Sequence, residues 1–245
     1  MRERILLMGA PGTGKSTQLL NVVNYVNEFG IHAHVIDLED KLTALLGNQI
    51  PKNMTLYTCV EWEELIDARD KILTTCKPDE WIFVDRVDLA WNFVQRFFST
   101  KKYNIELAER LLDKSIDMKK RAMFIPRFDA GDWPTINENY ESFIGFVFYR
   151  SRCNALVTSG IRAVDPDSKN DIDIFSLGIN PRGQKELGHQ PISAFLLQDA
   201  KKGKEHDYLI TTAKEGTKNR VQFDHETLYD FTAQYLSEYY PEKKK

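Results

Sequence analysis

Eight consecutive residues near the N-terminus, Gly9-Ala10-Pro11-Gly12-Thr13-Gly14-Lys15-Ser16, have the types and the spacing that bind phosphate. They fit the pattern G-x-x-x-x-G-K-[ST] in full. Glycines in such a loop let backbone N–H groups turn inward around phosphate oxygens, where a side chain would block the approach. A helix starting near Lys15 adds the positive end of its dipole. Lys15 is expected to reach the β- and γ-phosphates of a nucleotide, and the Ser16 hydroxyl to ligate Mg²⁺. Thr17 completes the binding segment, so ATP and Mg²⁺ are the ligands this stretch implies.

Two carboxylates stand where such a loop needs them. Asp85 closes the apolar run Trp81-Ile82-Phe83-Val84, and a strand delivering a carboxylate at its C-terminal edge suits Mg²⁺ binding from beyond Ser16. The same residue could instead cap the helix expected from Val87. Glu39 follows a second apolar run, in Val35-Ile36-Asp37-Leu38-Glu39-Asp40, where it could orient or deprotonate a water for hydrolysis. Asp37 and Asp40 compete for that role, and a solvated acidic turn is the plain alternative. His32 and His34 share one face of a strand, but a zinc site needs further ligands at a telling spacing.

Basic residues gather at Lys101-Lys102, Lys119-Lys120-Arg121, Lys201-Lys202-Lys204 and Lys214 to Arg220. A solvated face explains most of them. The last group follows a strand, so Lys214, Lys218 and Arg220 could project to the phosphates of a neighbouring subunit.

The elements that must position these groups alternate over the first third of the chain. Arg4–Met8 reads as a buried strand, Lys15–Phe29 as a helix, and Ala33–Leu38, Thr55–Val60 and Trp81–Val84 as further strands. Glu61–Thr75 is an amphipathic helix between the last two. This order implies an α/β fold with a mainly parallel twisted sheet and helices on both faces. Residues 87–153 are largely helical, with helices expected at Val87–Phe98, Ile105–Arg121 and Asn137–Arg152 and a Pro/Gly-punctuated loop, FIPRFDAGDWP, before the last. Ala155–Thr158 is a strand. Residues 162–190, acidic and punctuated by Gly178, Pro181, Gly183 and Gly188, read as a mobile loop. Phe195–Leu197 and Tyr208–Thr211 read as strands around the turn DAKKGKEHD, and Thr227–Tyr239 as the final helix. No repeat or linker divides the chain, so 1–245 is expected to form a single domain.

Bulk properties narrow the setting. Lys plus Arg number 33 against 36 Asp plus Glu, a net charge of -3, so any nucleic-acid surface must be local. The three cysteines, Cys59, Cys76 and Cys153, are far apart and odd in number, which fits a reducing cytoplasm and no disulfide framework. The opening MRERILLMGAPG has too short an apolar run for a signal peptide, and no stretch approaches a membrane span. The tail PEKKK reads as solvated.

The order of motifs resembles the RecA-like P-loop ATPases, most closely the small phage-type RecA-like nucleotide-binding proteins associated with single-strand annealing. LLMGAPGTGKST is similar to the family's first motif. HAHVIDLEDKL resembles the second strand, where a Glu activates the hydrolytic water, which assigns that role to Glu39. WIFVD is similar to the Mg²⁺-associated strand and assigns Asp85. NALVTSGIRAVD resembles the strand that leads into the DNA-binding loop, and YLITTAKEGTKNR the strand leading to the trans-acting Lys214, Lys218 and Arg220. Where the family carries a γ-phosphate-sensing Gln, this chain has Thr158, Ser159 and Gly160, with Ser159 the candidate sensor. The resemblance implies an ATPase acting on single-stranded DNA, self-associating into a ring or filament, in the cytoplasm (the host's, if viral) and without a membrane. Two other readings stand beside it. GAPGTGKSTQ, with Gln18 and Asp85-Arg86, is also similar to the nucleoside monophosphate kinases. A nucleotide-dependent viral assembly or packaging factor would need the same loop.

Overall fold

A computed structural model describes residues 2–47, 49–104, 128–167, 171–202, 205–216, 222–227 and 230–236. The chain opens with β1 (Arg4–Gly9), then α1 (Lys15–Glu28), β2 (Ala33–Asp37), the short α2 (Leu42–Leu45), β3 (Met54–Thr58), α3 (Trp62–Thr75), β4 (Trp81–Asp85) and α4 (Asp88–Tyr103). After it come α5 (Asp132–Gly145), which runs into a π-helical turn at Phe146–Arg150, and β5 (Asn154–Ser159). A small hairpin, β6 (Ile161–Ala163) with β7 (Ile179–Pro181), precedes a 3₁₀ turn at Lys185–His189. The chain ends in β8 (Ser193–Lys202), β9 (Glu205–Lys214), β10 (Glu226–Thr227) and a π-helical turn at Thr232–Leu236.

Among the described residues the main sheet has eight strands in the order β10-β9-β8-β1-β5-β4-β2-β3. The six from β8 to β3 are parallel, and the antiparallel β8–β9 and β9–β10 pairs finish one side. The α/β expectation with helices on both faces therefore holds. Strands buried on both faces read as continuous apolar runs, which is why β1, β2 and β4 were legible. Alternate residues feed two cores. Leu6, Met8, Ile36, Ile82, Val84, Ala155 and Val157 pack with α3, α4 and α5. Ile5, Leu7, Val35, Trp81, Phe83 and Leu156 pack with α1 and with Phe231, Tyr235 and Leu236. Phe195 bridges α1's layer to the C-terminal turn through edge contacts with Phe231 and Tyr235 at 5.1 and 4.9 Å.

Several boundaries differ from expectation, each for a local reason. The FIPRFDAGDWP loop ends early, because α5 starts at Asp132 and takes Pro134 into its first turn, where a missing N–H is harmless. The helix expected at Ile105–Arg121 lies outside the described residues. The stretch expected as a mobile loop at 162–190 carries the β6–β7 hairpin and the 3₁₀ turn, and its polar residues bond one another: Arg162 clasps Asp171 through two bonds of 2.6 Å, and Asn180 takes Ile174 N–H while donating to Ile172 O. β8 and β9 run well into the expected DAKKGKEHD turn. The final helix starts later than Thr227, because Glu226 and Thr227 pair with Ile210 and Leu209 at the sheet edge. Among the described residues no helix is long and apolar enough to cross a membrane.

Candidate functional site

The phosphate-loop sequence connects β1 to α1 at the C-terminal ends of the parallel strands, the edge where open α/β sheets bind ligands. Gly12 and Gly14 have φ of 81° and 80°, in the left-handed region that residues with a Cβ avoid, and nothing stands within 4 Å of where their Cβ atoms would be. Gly9 has a different reason to be glycine: a Cβ there would lie 2.4 Å from Leu197 O and 2.6 Å from Thr13 Oγ1. Thr13 is buried and donates to Ala10 O at 2.9 Å, bracing the loop from inside, while Pro11 and Thr17 are exposed. Helix α1 has no side-chain cap and no acid in its first turn, so its leading N–H groups meet no competing anion from their own helix.

Lys15 and Ser16 each have defined partners. Lys15 is 6% exposed and donates to Gly9 O at 3.0 Å and Ala10 O at 2.7 Å, curling over the loop. Burial pushes its ammonium below its usual pKa, and the Arg86 charge pushes the same way against Asp85, Asp88 and Glu39. Ser16 Oγ donates to Asp85 Oδ2 at 2.8 Å. Asp85 is fully buried, and its other oxygen accepts from Thr158 Oγ1 at 2.5 Å. Burial raises the Asp85 pKa, and the Thr158 and Ser16 hydroxyls pull it partly back.

Of the three acids after β2, the structure separates the roles. Asp37 accepts from the backbone of Glu39, Lys41 and Leu42 at 3.0, 2.8 and 2.7 Å, so it builds the turn and starts α2. Asp40 is exposed, with φ at 55°. Glu39 turns toward Arg86, whose Nη1 donates to its Oε1 at 2.6 Å, while Lys41 Nζ donates to Oε2 at 2.7 Å.

The other expected residues fall as follows. The Ser159 hydroxyl is buried and donates to Gly160 O at 2.9 Å and Arg182 O at 3.3 Å, toward the β6–β7 segment. Its neighbour Thr158 is the one at the site. Strand parity carries that signal: Thr158 shares a face with Leu156, on the α1 side, as Asp85 does with Phe83, whereas Ser159 follows Val157 to the opposite core. Lys214 Nζ donates to His189 O of its own chain at 3.1 Å. Lys218 and Arg220 lie outside the described residues. Gln18 accepts from Phe231 N–H at 2.9 Å and so ties α1 to the C-terminal turn. His32 meets Thr55 and the buried His34 meets Glu80, both at 3.0 Å. Sequence reasoning named Thr158 only as a neighbour of Ser159 and Arg86 only in the likeness to the kinases, and it missed Asp88. Arg86 sits at φ 64°, a conformation costing about 1–2 kcal/mol for a residue with a Cβ.

These donors fit a Mg²⁺-nucleotide. Mg²⁺ keeps waters and takes only one or two protein oxygens beside phosphate, and Ser16 with Asp85 supplies such a pair. Compared with protein-family models and with curated proteins, the sequence gives no match. The fold and site together define an α/β protein with a mostly parallel sheet and a buried lysine, hydroxyl and carboxylate at its C-terminal edge.

Proposed function

We propose that this chain is a RecA-like P-loop ATPase that binds Mg²⁺-ATP at Gly9–Thr17, hydrolyses it, and acts on single-stranded DNA as an oligomer. The observation that carries the reading is the Ser16–Asp85 bond of 2.8 Å beside a buried Lys15. It joins the loop to the end of β4, the junction that a phosphate-bound Mg²⁺ requires. In this reading the glycine loop and the start of α1 hold the phosphates, Lys15 neutralises charge at the terminal phosphoryl group, and Ser16 and Asp85 hold the metal. Mg²⁺ would draw charge off the phosphate oxygens, and Glu39 would orient the attacking water.

Support for DNA comes from a cavity of 650 Å³, lined in part by Trp91, Trp133, Asn137, Arg162 and Gln184, whose Gly183 lies against Asp88. The two tryptophans lie nearly parallel, with centroids 6.3 Å apart, and aromatic faces of this kind stack bases. The cavity is walled by the segment that resembles the family's DNA-binding loop. A second reading, a nucleotide-organised assembly factor, draws on one observation: both Glu39 oxygens are ion-paired, which suits slow hydrolysis.

ATP turnover with and without single-stranded DNA, alongside sizing with a non-hydrolysable analogue, tests the proposal. We expect Mg²⁺-dependent turnover that DNA stimulates and Lys15→Ala abolishes, with assembly in the presence of the analogue. Absence of DNA binding with ATP at low salt would remove the DNA half. Assembly without turnover, unchanged by Glu39→Gln, would favour the assembly factor.

A further inference from the structure

Arg86 is the residue after the metal-side carboxylate, and its geometry is over-determined. Its backbone N–H donates to Thr158 Oγ1 at 2.8 Å, the same hydroxyl that donates to Asp85. Its left-handed backbone turns the side chain across the ends of β4 and β2. There Nε and Nη2 form a two-pronged pair with Asp88 at 2.9 and 3.0 Å, and Nη1 reaches Glu39 at 2.6 Å. Asp88 is held in turn: its side chain is 3% exposed and accepts from Gly160 N–H at 3.3 Å. Three of the guanidinium's five N–H donors are thus fixed on carboxylates, with the fork oriented by Asp88 rather than by solvent.

Lys15 and Arg86 flank one hydrogen-bonded chain: Ser16, next to Lys15, donates to Asp85, and Arg86, next to Asp85, donates its backbone N–H to the Thr158 hydroxyl that also donates to Asp85. Lys15 itself bonds only to the carbonyls of Gly9 and Ala10 in the contacts the structure gives it. Two cations brought together in a buried site are relieved by an anion with several charges between them. A triphosphate on the glycine loop is such an anion, and its terminal group is the part that Lys15 serves.

Building on the function proposed above, we propose that Arg86 contacts the terminal phosphate of the bound nucleoside triphosphate from within the same chain and holds Glu39 beside it. Asp88 anchors the guanidinium, Nη1 positions the Glu39 carboxylate, and the remaining N–H donors on Nη1 and Nη2 serve the phosphate. Arg86 then has two effects: it makes the site discriminate triphosphate from diphosphate, and it makes Glu39 competent.

The test measures the affinity of the wild type, Arg86→Ala and Arg86→Lys for a non-hydrolysable ATP analogue and for ADP, with Mg²⁺, and the turnover of each. Loss of a charge-assisted contact to the terminal phosphate should weaken the analogue about 10- to 100-fold and ADP by less than about twofold. Arg86→Ala should lower turnover about as far as Glu39→Gln does, and the double variant no further, because the two act as a unit. Equal weakening of both ligands, or of neither, overturns the phosphate contact, and additive losses overturn the positioning of Glu39. If Arg86→Ala does not fold, Arg86→Lys decides. An ammonium cannot hold Asp88 by two bonds while also serving Glu39 and a phosphate, so the preference for triphosphate should still fall, and an unchanged preference overturns the proposal. A wild type that binds neither ligand removes the nucleotide reading itself, and this inference with it.

Discussion

Two glycines of the Gly9–Ser16 loop are glycine for opposite reasons, and substitution separates them. At Gly12 the obstacle is the backbone: φ is 81° and the space around the missing Cβ is open. Alanine there should cost roughly 1–2 kcal/mol, and asparagine less, because its side chain tolerates the left-handed region. At Gly9 the obstacle is Leu197 O, 2.4 Å from where a methyl group would sit and part of the β1–β8 ladder. A backbone carbonyl in a parallel sheet cannot swing aside, so Gly9→Ala should cost about 1–3 kcal/mol, as overpacking does, and Gly9→Asn should be no milder. Urea unfolding of the four variants checks this, and a Gly9→Asn milder than Gly9→Ala would show that the close approach is not what selects glycine. The motif spacing marks Gly9 but leaves Gly12 at one of its unspecified positions. It does not give the reason for Gly9, because Leu197 lies far along the chain and its approach depends on β8 joining β1. Arg86 was obscure for the same kind of reason. Its role rests on a left-handed turn and on carboxylates after two different strands, neither of which a local pattern displays.

Elements with a simple period were legible, and those held by specific polar pairs were not. The buried strands and α3 announced themselves through apolar runs and amphipathic spacing, and the Glu61–Glu64 capping box that starts α3 came to light only in the structure. The β6–β7 hairpin did not, since its acidic, glycine-rich sequence matches a loop by composition. What builds it is Arg162 clasping Asp171, with Asp173 accepting from the N–H groups of Leu177 and Gly178. The bond from Arg162 and the N–H of Asp165 hold the Asp171 carboxyl well below the usual carboxylate range. A carboxylate whose folded pKa is depressed stabilises the fold above its unfolded value, near pH 4, and loses that contribution as pH falls further toward the folded value. Asp171→Asn should therefore leave the amides of β6 and β7 exchanging faster than in the wild type at pH 6. The difference between the two proteins should shrink as pH drops below about 4. Hydrogen exchange corrected for intrinsic rates reads this directly, and a difference independent of pH would mean that the Arg162–Asp171 charge pair does not hold the hairpin.

At the scale of the whole molecule, the question is how a chain with a net charge of -3 would hold a polyanion. Non-specific binding to nucleic acid is normally electrostatic and falls steeply with salt. The cavity at Trp91 and Trp133 does not supply that attraction: Asp165, Asp171 and Glu186 line it with Arg162 and Lys185, and Arg162 is already paired. Its other chemistry is aromatic. Trp133 is 36% exposed and braced by Phe128 at 5.2 Å, and Trp91, behind it, packs edge-on against the buried Tyr140, also at 5.2 Å. Such a wall would hold a base by stacking, while the phosphates would be met elsewhere, by basic clusters such as Lys101-Lys102, whose more exposed ammonium groups would exchange Glu63 and Asp132 for phosphate. Removing the exposed ring should then cost about 1–3 kcal/mol in affinity for single-stranded DNA, the range for one stacked base. It should not change the slope of log affinity against log salt, because no phosphate contact is lost. A Lys101→Ala/Lys102→Ala variant should do the reverse and flatten the slope by up to about 1.4, at roughly 0.7 per phosphate contact on a single strand. Fluorescence titration of an oligonucleotide across a salt series with Mg²⁺-ATP distinguishes them. If Trp133→Ala binds as the wild type does at every salt concentration, the tryptophan wall is packing rather than a base platform, and the assembly-factor reading gains accordingly. If both variants shift only the intercept, the phosphates are held by residues other than Lys101 and Lys102, and the basic segment after β9 becomes the next place to remove charge.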